Sequence, residues 1–321
     1  MQTRFHCIAV IAAACLSVMA FTGCIKEDTD GCDTGYILRL KVVDAANGQD
    51  ITATGEVASA SLFLYDENRQ FLRRIDMTGD EIRQRKGIDV ELPRGSKAWI
   101  SAWGNIHEDM LISGSTPGSM PDESVITIAD PEQGYAPGSG NIFFGTKQIG
   151  AVTRRAATEE EIVITQKNAR MHITVRGLTE ESDHDLYYFR IVNNYDGYTL
   201  SGSPVHVPYA QVETGVYDRE RGLLSGPFNL IHSEDDSQNQ EQHPVTVYLY
   251  RKPSRSSAPD YRTDQLVASS SEDSGGNPIV LRRAMTTNVL IEIRESGSLG
   301  IRIEVTPWNV IYQWERWSFD Q

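Results

Sequence analysis

Three features of the sequence predict an all-β chain built from two tandem antiparallel β-sandwich domains. Short stretches alternate apolar and polar residues, turn-forming residues separate them at close spacing, and helical periodicity is scarce. At 321 residues and 40% hydrophobic, the chain is long and apolar enough for about two domains of ordinary size, each with its own core.

Taken in order, 36–43 reads as a first strand and Asn47-Gly48 as a tight turn after it. Stretches 57–65 and 71–75 flank the polar turn formers Asp66-Glu67-Asn68-Arg69, which predicts a hairpin. In Ser61-Leu62-Phe63-Leu64-Tyr65 apolar residues fall on both parities, as in a strand buried on both faces. Residues 78–86 suit a short helix capped by Thr78. A further strand pair, 88–92 with 98–103, is expected around Pro93-Arg94-Gly95. Residues 113–140, rich in Gly, Pro and Ser, read as surface loop with one short strand at 124–129. The strand 142–149 then closes the first half. Residues 150–161 have no pattern and contain Arg154-Arg155, so the domains are expected at 36–152 and 153–321.

The second half restarts at Met171-His172-Ile173-Thr174-Val175-Arg176, whose strict alternation predicts one face in the core and one in water. Stretches 187–194 and 198–201 flank Tyr195-Asp196-Gly197 as a second expected hairpin, and 245–250 alternates again. The polar stretches 233–242, 252–260 and 269–277 read as exposed loops. Strands are expected at 279–281, 288–294 and 299–305. Leu299, Ile301, Ile303 and Val305 are apolar at odd positions, but after Pro307 the large apolar groups Trp308, Val310, Tyr312 and Trp314 stand at even ones. A bulge or break at Thr306-Pro307 accounts for the switch. Three of the five tryptophans, Trp308, Trp314 and Trp317, follow that proline, so the final stretch 308–317 is expected to be a strand with a heavy apolar load that needs burial.

The N-terminus has a different character. Arg4 precedes an apolar run, 7–21, broken only by Ser17, which is the length of a signal-peptide core and too short to span a bilayer comfortably. Phe21-Thr22-Gly23-Cys24 resembles a bacterial lipobox, with Phe21 where leucine is usual. The expectation is a lipoprotein signal peptide at 1–23, removed to leave Cys24 acylated, and a polar tether at 24–35. Each buried methylene contributes about 0.8 kcal/mol, so two or three acyl chains hold a protein in a membrane without any spanning helix. Cys7 and Cys15 leave with the signal, which makes Cys32 the lone thiol and excludes a disulfide within the chain. The net charge of −14 becomes −15 once Arg4 is removed, which argues against nucleic acid as a partner and against electrostatic binding to anionic lipid.

Catalytic patterns are missing. There is no nucleophile elbow, phosphate loop or dinucleotide fingerprint, and His107-Glu108 lacks the second histidine of a zinc-protease motif because Leu111 stands there. Residues 28–33 look like a calcium loop without its later glutamate. His172 is expected in solvent on the polar side of its strand, His184 at a charged loop tip, and His232 and His243 beside a loop. No enzyme activity, cofactor, metal or small-molecule substrate is expected. Trp99 and Trp103, four apart on one strand face, read as core residues, or alternatively as a stacking platform for a surface glycan-binding lipoprotein.

The chain resembles the fimbrillin-associated anchor lipoproteins of Bacteroidetes. The likeness rests on the lipobox, on Cys24-Ile25-Lys26-Glu27-Asp28 with Cys32 beyond it, on 38–43, on the 57–71 hairpin with Leu64-Tyr65-Asp66-Glu67-Asn68, on the 170–177 strand and on the Trp-rich end. Asp33 after Cys32 departs from the proline usual in that family. The resemblance implies two transthyretin-like sandwiches, lipid attachment at Cys24 to the outer membrane, exposure at the cell surface, and a non-catalytic role in holding the base of a fimbria and limiting its length. It implies a fimbrillin shaft subunit as partner, joined by strand complementation. An anchor of this kind keeps its own first strand and offers its last one, here Trp308, Val310, Tyr312, Trp314 and Trp317. A shaft or tip fimbrillin is the alternative within the same architecture. Shaft and tip fimbrillins of this group are activated by Arg-specific cleavage near the N-terminus, whereas Arg154-Arg155 lies mid-chain and reads as linker.

Overall fold

The computed structural model of the protein describes residues 34–92, 96–106, 110–130, 134–135, 140–151, 158–178, 181–233, 243–294, 296, 298–308 and 310–314. Cys24, Cys32, His107, Arg154, Arg155 and Trp317 lie outside these, and so do the expected signal peptide and most of the expected tether.

The fold is nearly all strand. The first part runs β1 (Thr34–Val42), β2 (Ser59–Tyr65), β3 (Phe71–Thr78), the short helix α1 (Gly79–Arg83), β4 (Ile88–Leu92), β5 (Ala98–Gly104), β6 (Leu111–Ser113), β7 (Val125–Thr127), β8 (Ala129–Asp130), β9 (Gly134–Tyr135), β10 (Phe143–Ile149) and β11 (Thr158–Gln166). The second part runs β12 (Ala169–Arg176), β13 (Tyr187–Asn193), β14 (Gly197–Thr199), β15 (Pro204–Val205), β16 (Tyr209–Thr214), β17 (Val216–Asp218), β18 (Gly222–Leu230), β19 (Thr246–Arg251), β20 (Gln265–Ser270), β21 (Met285–Ile293) and β22 (Leu299–Pro307).

The first sheet has seven strands in the order β3-β2-β5-β10-β11-β1-β4. It turns a corner where β10 meets β11, since only Phe143↔Gln166 and Phe144↔Thr165 pair there. The two layers on either side of that corner enclose Tyr36, Leu38, Leu40 and Val42 of β1 against Leu62, Leu64, Ile100 and Ala102. In the second part a five-stranded sheet, β17-β18-β12-β21-β22, faces a four-stranded one, β16-β13-β19-β20. Their shared core includes Met171, Ile173, Val175, Phe189, Ile191, Leu249 and Val289. Each of the large sheets contains one parallel pair, β1 with β11 and β12 with β21, so neither half is purely antiparallel.

Strand β2 is buried on both faces, as its composition requires. Leu62 and Leu64 enter the first core, while Phe63 and Tyr65 join the second. That second core is continuous across the two parts, because Phe63, Trp103 and Phe144 belong to the same cluster as Tyr198 and Leu249. A small sheet, β15-β14-β7-β6, also crosses between them through Gly197↔Thr127 and its neighbours. Thr78 caps α1 through a full capping box with Glu81.

Several pairings differ from expectation. Strands 88–92 and 98–103 both form but not as a hairpin: β4 pairs with β1, and β5 pairs with β2 and β10. Likewise β13 and β14 lie in different sheets, so Tyr195-Asp196-Gly197 is a crossover and not a hairpin turn. Residues 279–281 are buried without joining a ladder; Val245 N–H donates to Ile279 O and Ser233 N–H to Leu281 O. Strand β11 begins inside the patternless 150–161 stretch and belongs to the first sheet, so the chain crosses to the second part at 167–168.

Candidate functional site

Two regions place the residues singled out in the sequence. One is β1, the first described element after the tether. The other is the C-terminal segment that follows β22.

Strand β1 is an interior strand. It pairs in parallel with β11 from Tyr36↔Thr158 to Val42↔Ile164, and antiparallel with β4 from Thr34↔Leu92 to Leu38↔Ile88. Tyr36, Leu38, Leu40 and Val42 are buried, and Arg39 and Lys41 carry charge on the outer face. There Arg39 meets Glu159 at 3.2 Å and Lys41 meets Glu161 at 3.4 Å, while on the opposite face of β11 Glu160, paired with Leu38, meets Lys147 of β10 at 2.8 Å. The Tyr36 hydroxyl donates to Gly150 O.

Beyond β22 the chain leaves the ladder at Pro307, where the switch in apolar parity placed a break. From 308 to 314 no strand forms, which corrects the expected final strand within the described residues. The segment lies instead as a strap on the outer face of the five-stranded sheet, held by side chains that bond its backbone. Thr286 Oγ1 donates to Trp308 O at 2.7 Å, and Arg170 Nη1 to the same oxygen at 3.3 Å. Thr306 Oγ1 donates to Val310 O, Tyr312 N–H to Asn288 Oδ1 at 3.1 Å, and Arg176 Nη2 to Trp314 O at 2.6 Å. Only part of the apolar load is buried. Trp308 is 1% exposed under the Arg170 guanidinium, which sits 4.3 Å from its ring centroid, whereas Val310, Ile311 and Tyr312 are 40–47% exposed. Trp314 is half-buried, edge-on to Tyr312 and beside Arg302.

The strap changes the reading of β12. Its even-numbered residues do not face open water: His172 and Thr174 are buried, and His172 lines a cleft with the strap residues Ile311, Tyr312 and Trp314. Burial, and then the nearby Arg221, push the imidazole pKa below its ordinary 6.5, so His172 is a neutral covered residue and not a solvated one. Of the polar residues that hold the strap, Thr306 stands at the break read from the sequence, whereas Thr286 and Asn288 carried no signal there. Thr286 and Asn288 become partners because β21 lies beside both β12 and β22, whereas Thr306 bonds the strap four residues on in its own chain.

The remaining candidates resolve as structure. Trp103 is fully buried, with Nε1 donating to Leu200 O at 3.2 Å and to Ser101 Oγ at 2.9 Å, and its ring packs 4.4 Å from that of Phe144. Trp99 is half-buried between Tyr65 and the Arg69 guanidinium. The two tryptophans therefore form no exposed stacking platform. His184 contacts Asp185 at 2.9 Å and stacks on Tyr217, His232 is buried beside Tyr198, and His243 packs against His206 and Tyr195. Among the described residues no group of three or more His, Cys, Asp or Glu is placed to hold a metal ion. Among them, too, no helix is long and apolar enough to cross a membrane.

Comparison with known proteins matches this arrangement. The chain is 26% identical over 302 residues to the major fimbrium anchoring subunit FimB of Porphyromonas gingivalis ATCC 33277, covering 92% of this chain and 93% of that one. The FimB of strain W83 matches to the same extent. The solved structure of the fimbrial anchor protein Mfa2 from Porphyromonas gingivalis shares the fold, with a TM-score of 0.60 at 12% identity over 86% of this chain and 98% of that one. Residues 29–314 match the family described as fimbrillin-A associated anchor proteins Mfa1 and Mfa2, and the chain belongs to that family.

Proposed function

We propose that this protein anchors the base of a fimbria at the cell surface, held in the outer membrane by lipid on Cys24. Family membership along nearly the whole chain carries the reading. The path from Cys24 into the fold supports it. Cys24 stands ten residues before Thr34, where β1 begins, and β1 is clamped between two neighbours with Tyr36, Leu38, Leu40 and Val42 in the core. A load passed from the fimbria to the lipid would run along that strand and be shared by its ladders. No arginine lies between Cys24 and β1, so an Arg-specific protease has no site at which to separate lipid from fold. This favours an anchor over a released shaft or tip subunit.

The partner is a fimbrillin shaft subunit, and the contact is made by the C-terminal segment with Trp308, Val310, Tyr312, Trp314 and Trp317. Beyond Trp308 the described part of the segment belongs to no ladder and its apolar side chains stay half-exposed, as suits a strand that complements a neighbour's sheet. Limiting fimbrial length follows from the same contact, since a subunit capped by a fixed base accepts no further addition at that end. The test is truncation after Trp308, which spares the buried ring. The expected outcome is a folded protein that no longer binds the shaft subunit. A truncated protein that binds it as well as the full chain would exclude the strap as the contact.

A further inference from the structure

We propose that the C-terminal strap is a proton-operated latch, closed over a neutral His172 and lifted from β12 when that imidazole takes up a proton. Its functional meaning rests on the proposed contact with a shaft subunit, because only a lifted strap is free to join a neighbour's sheet. The latch itself is a property of this chain alone.

The closed strap suits the neutral ring and not the charged one. His172 is 6% exposed, and it lines the cleft between sheet and strap with Ile311, Tyr312 and Trp314. Its Nδ1 is buried and has no hydrogen-bond partner. An imidazolium carries N–H on both ring nitrogens, so protonation in the closed form buries a charged ring with an unpaired donor. The charges around the ring come close to cancelling. From the turn before β18, Glu220 lines the cleft beside Arg221, whose guanidinium Asp218 holds at 2.8 Å. On β12 itself, Arg170 is turned to Trp308 and Arg176 to Trp314 O. Strand β18 places Pro227 opposite His172 and β21 places Asn288 there, with the exposed Glu304 of β22 beyond it and Arg302 beside Trp314. Among its described residues the strap adds Tyr312 and no charge. Burial is therefore the leading cause that holds the imidazole pKa below 6.5, with Arg221 second.

The strap is also the part of this face that can move. Trp308 stays with the sheet, since its ring is buried under Arg170 and its carbonyl accepts from Thr286. Past it the chain joins no ladder, and Val310, Ile311 and Tyr312 are 40–47% exposed. The bonds from Tyr312 N–H to Asn288 Oδ1 and from Arg176 Nη2 to Trp314 O reach it from the sheet below. A segment so held opens at far lower free energy than the core beneath it. Opening uncovers His172 and returns its pKa toward 6.5, so protons bind the open form more tightly and favour it by linkage. The closed form is fully favoured above 6.5. As pH falls from there toward the lower value of the closed form, the open population rises by at most about tenfold per pH unit.

The test measures hydrogen exchange at the Tyr312 amide in the purified full chain between pH 7.5 and 5.5, corrected for the pH dependence of intrinsic exchange. The expected result is that protection falls about threefold or more, with a ceiling of about tenfold for an open-state pKa near 6.5, while protection in the core strand β13 stays level. In His172→Gln, which cannot take up the proton, the protection of Tyr312 is expected to be flat across the same range. The comparison is of slopes, so a variant strap that is looser throughout still decides it. A second measurement follows the His172 imidazole by NMR in the full chain and in the chain truncated after Trp308, where its pKa is expected to rise toward 6.5. Parallel slopes in wild type and His172→Gln, or the same His172 pKa with and without the strap, would overturn the latch. Neither measurement uses the shaft subunit, so failure of the proposed contact shows separately, as undiminished binding of that subunit by the truncated chain.

Discussion

Trp103 shows how much one residue holds. It is fully buried where the two parts of the molecule share a core, its N–H is bonded to Leu200 O, and its ring lies between those of Phe144 and Tyr198. Trp103→Ala removes the ring and leaves a cavity lined from both sides, so chemical denaturation should show a loss of about 3–5 kcal/mol. His172 gives a residue-scale expectation in pH. Its folded pKa lies below the ordinary 6.5, so the native state holds fewer protons than the unfolded state as pH falls past that value. The stabilisation from keeping it neutral is complete above 6.5 and is lost progressively as pH falls toward the folded value. Burial pushes the carboxyls of Asp196 and Glu213 upward, which acts in the opposite sense at lower pH. The clean reading is therefore the difference between wild type and His172→Gln. Between pH 7 and 5 the denaturation midpoint of wild type should fall relative to that of the variant, and parallel curves would place His172 in solvent after all.

At the scale of the element, β1 separates apolar burial from surface charge. Leu38 is completely buried, so Leu38→Ala should cost about 2–5 kcal/mol in urea unfolding. Glu161→Gln breaks exposed ion pairs to Lys41 and Arg85 and should cost less than about 1 kcal/mol. Strand positions of this kind were legible in the sequence, because alternation and turn residues act over a few neighbours. Partners were not. Pro93-Arg94-Gly95 looks like a turn that closes a hairpin, but β4 joins the edge of the sheet beside β1, with Val90 opposite Tyr36 and Ile88 opposite Leu38. The parallel neighbour of β1 comes from 158–166, and no local pattern in either strand encodes that distance. The strap was half legible for the same reason. Its apolar weight and the break at Pro307 are local facts, whereas its hold on Thr286 and Asn288 depends on which strand lies beside β12.

The whole molecule, over its described residues, is a double β-structure whose parts share one core. Continuity through Trp103, Phe144 and Tyr198 suits the proposed anchoring role, in which load would pass from one end to the other without opening the middle. Acidity keeps the surface solvated, and in the proposed anchoring role attachment would rest on lipid and not on charge. The measurement that tests anchoring most directly is the location of fimbriae by electron microscopy in cells carrying Cys24→Ser in place of the wild-type gene, with fimbrillin quantified in cells and in medium. The expected result is that fimbriae assemble but are shed into the medium, with the variant protein recovered outside the membrane. Fimbriae of normal length still attached to the variant cells would contradict it.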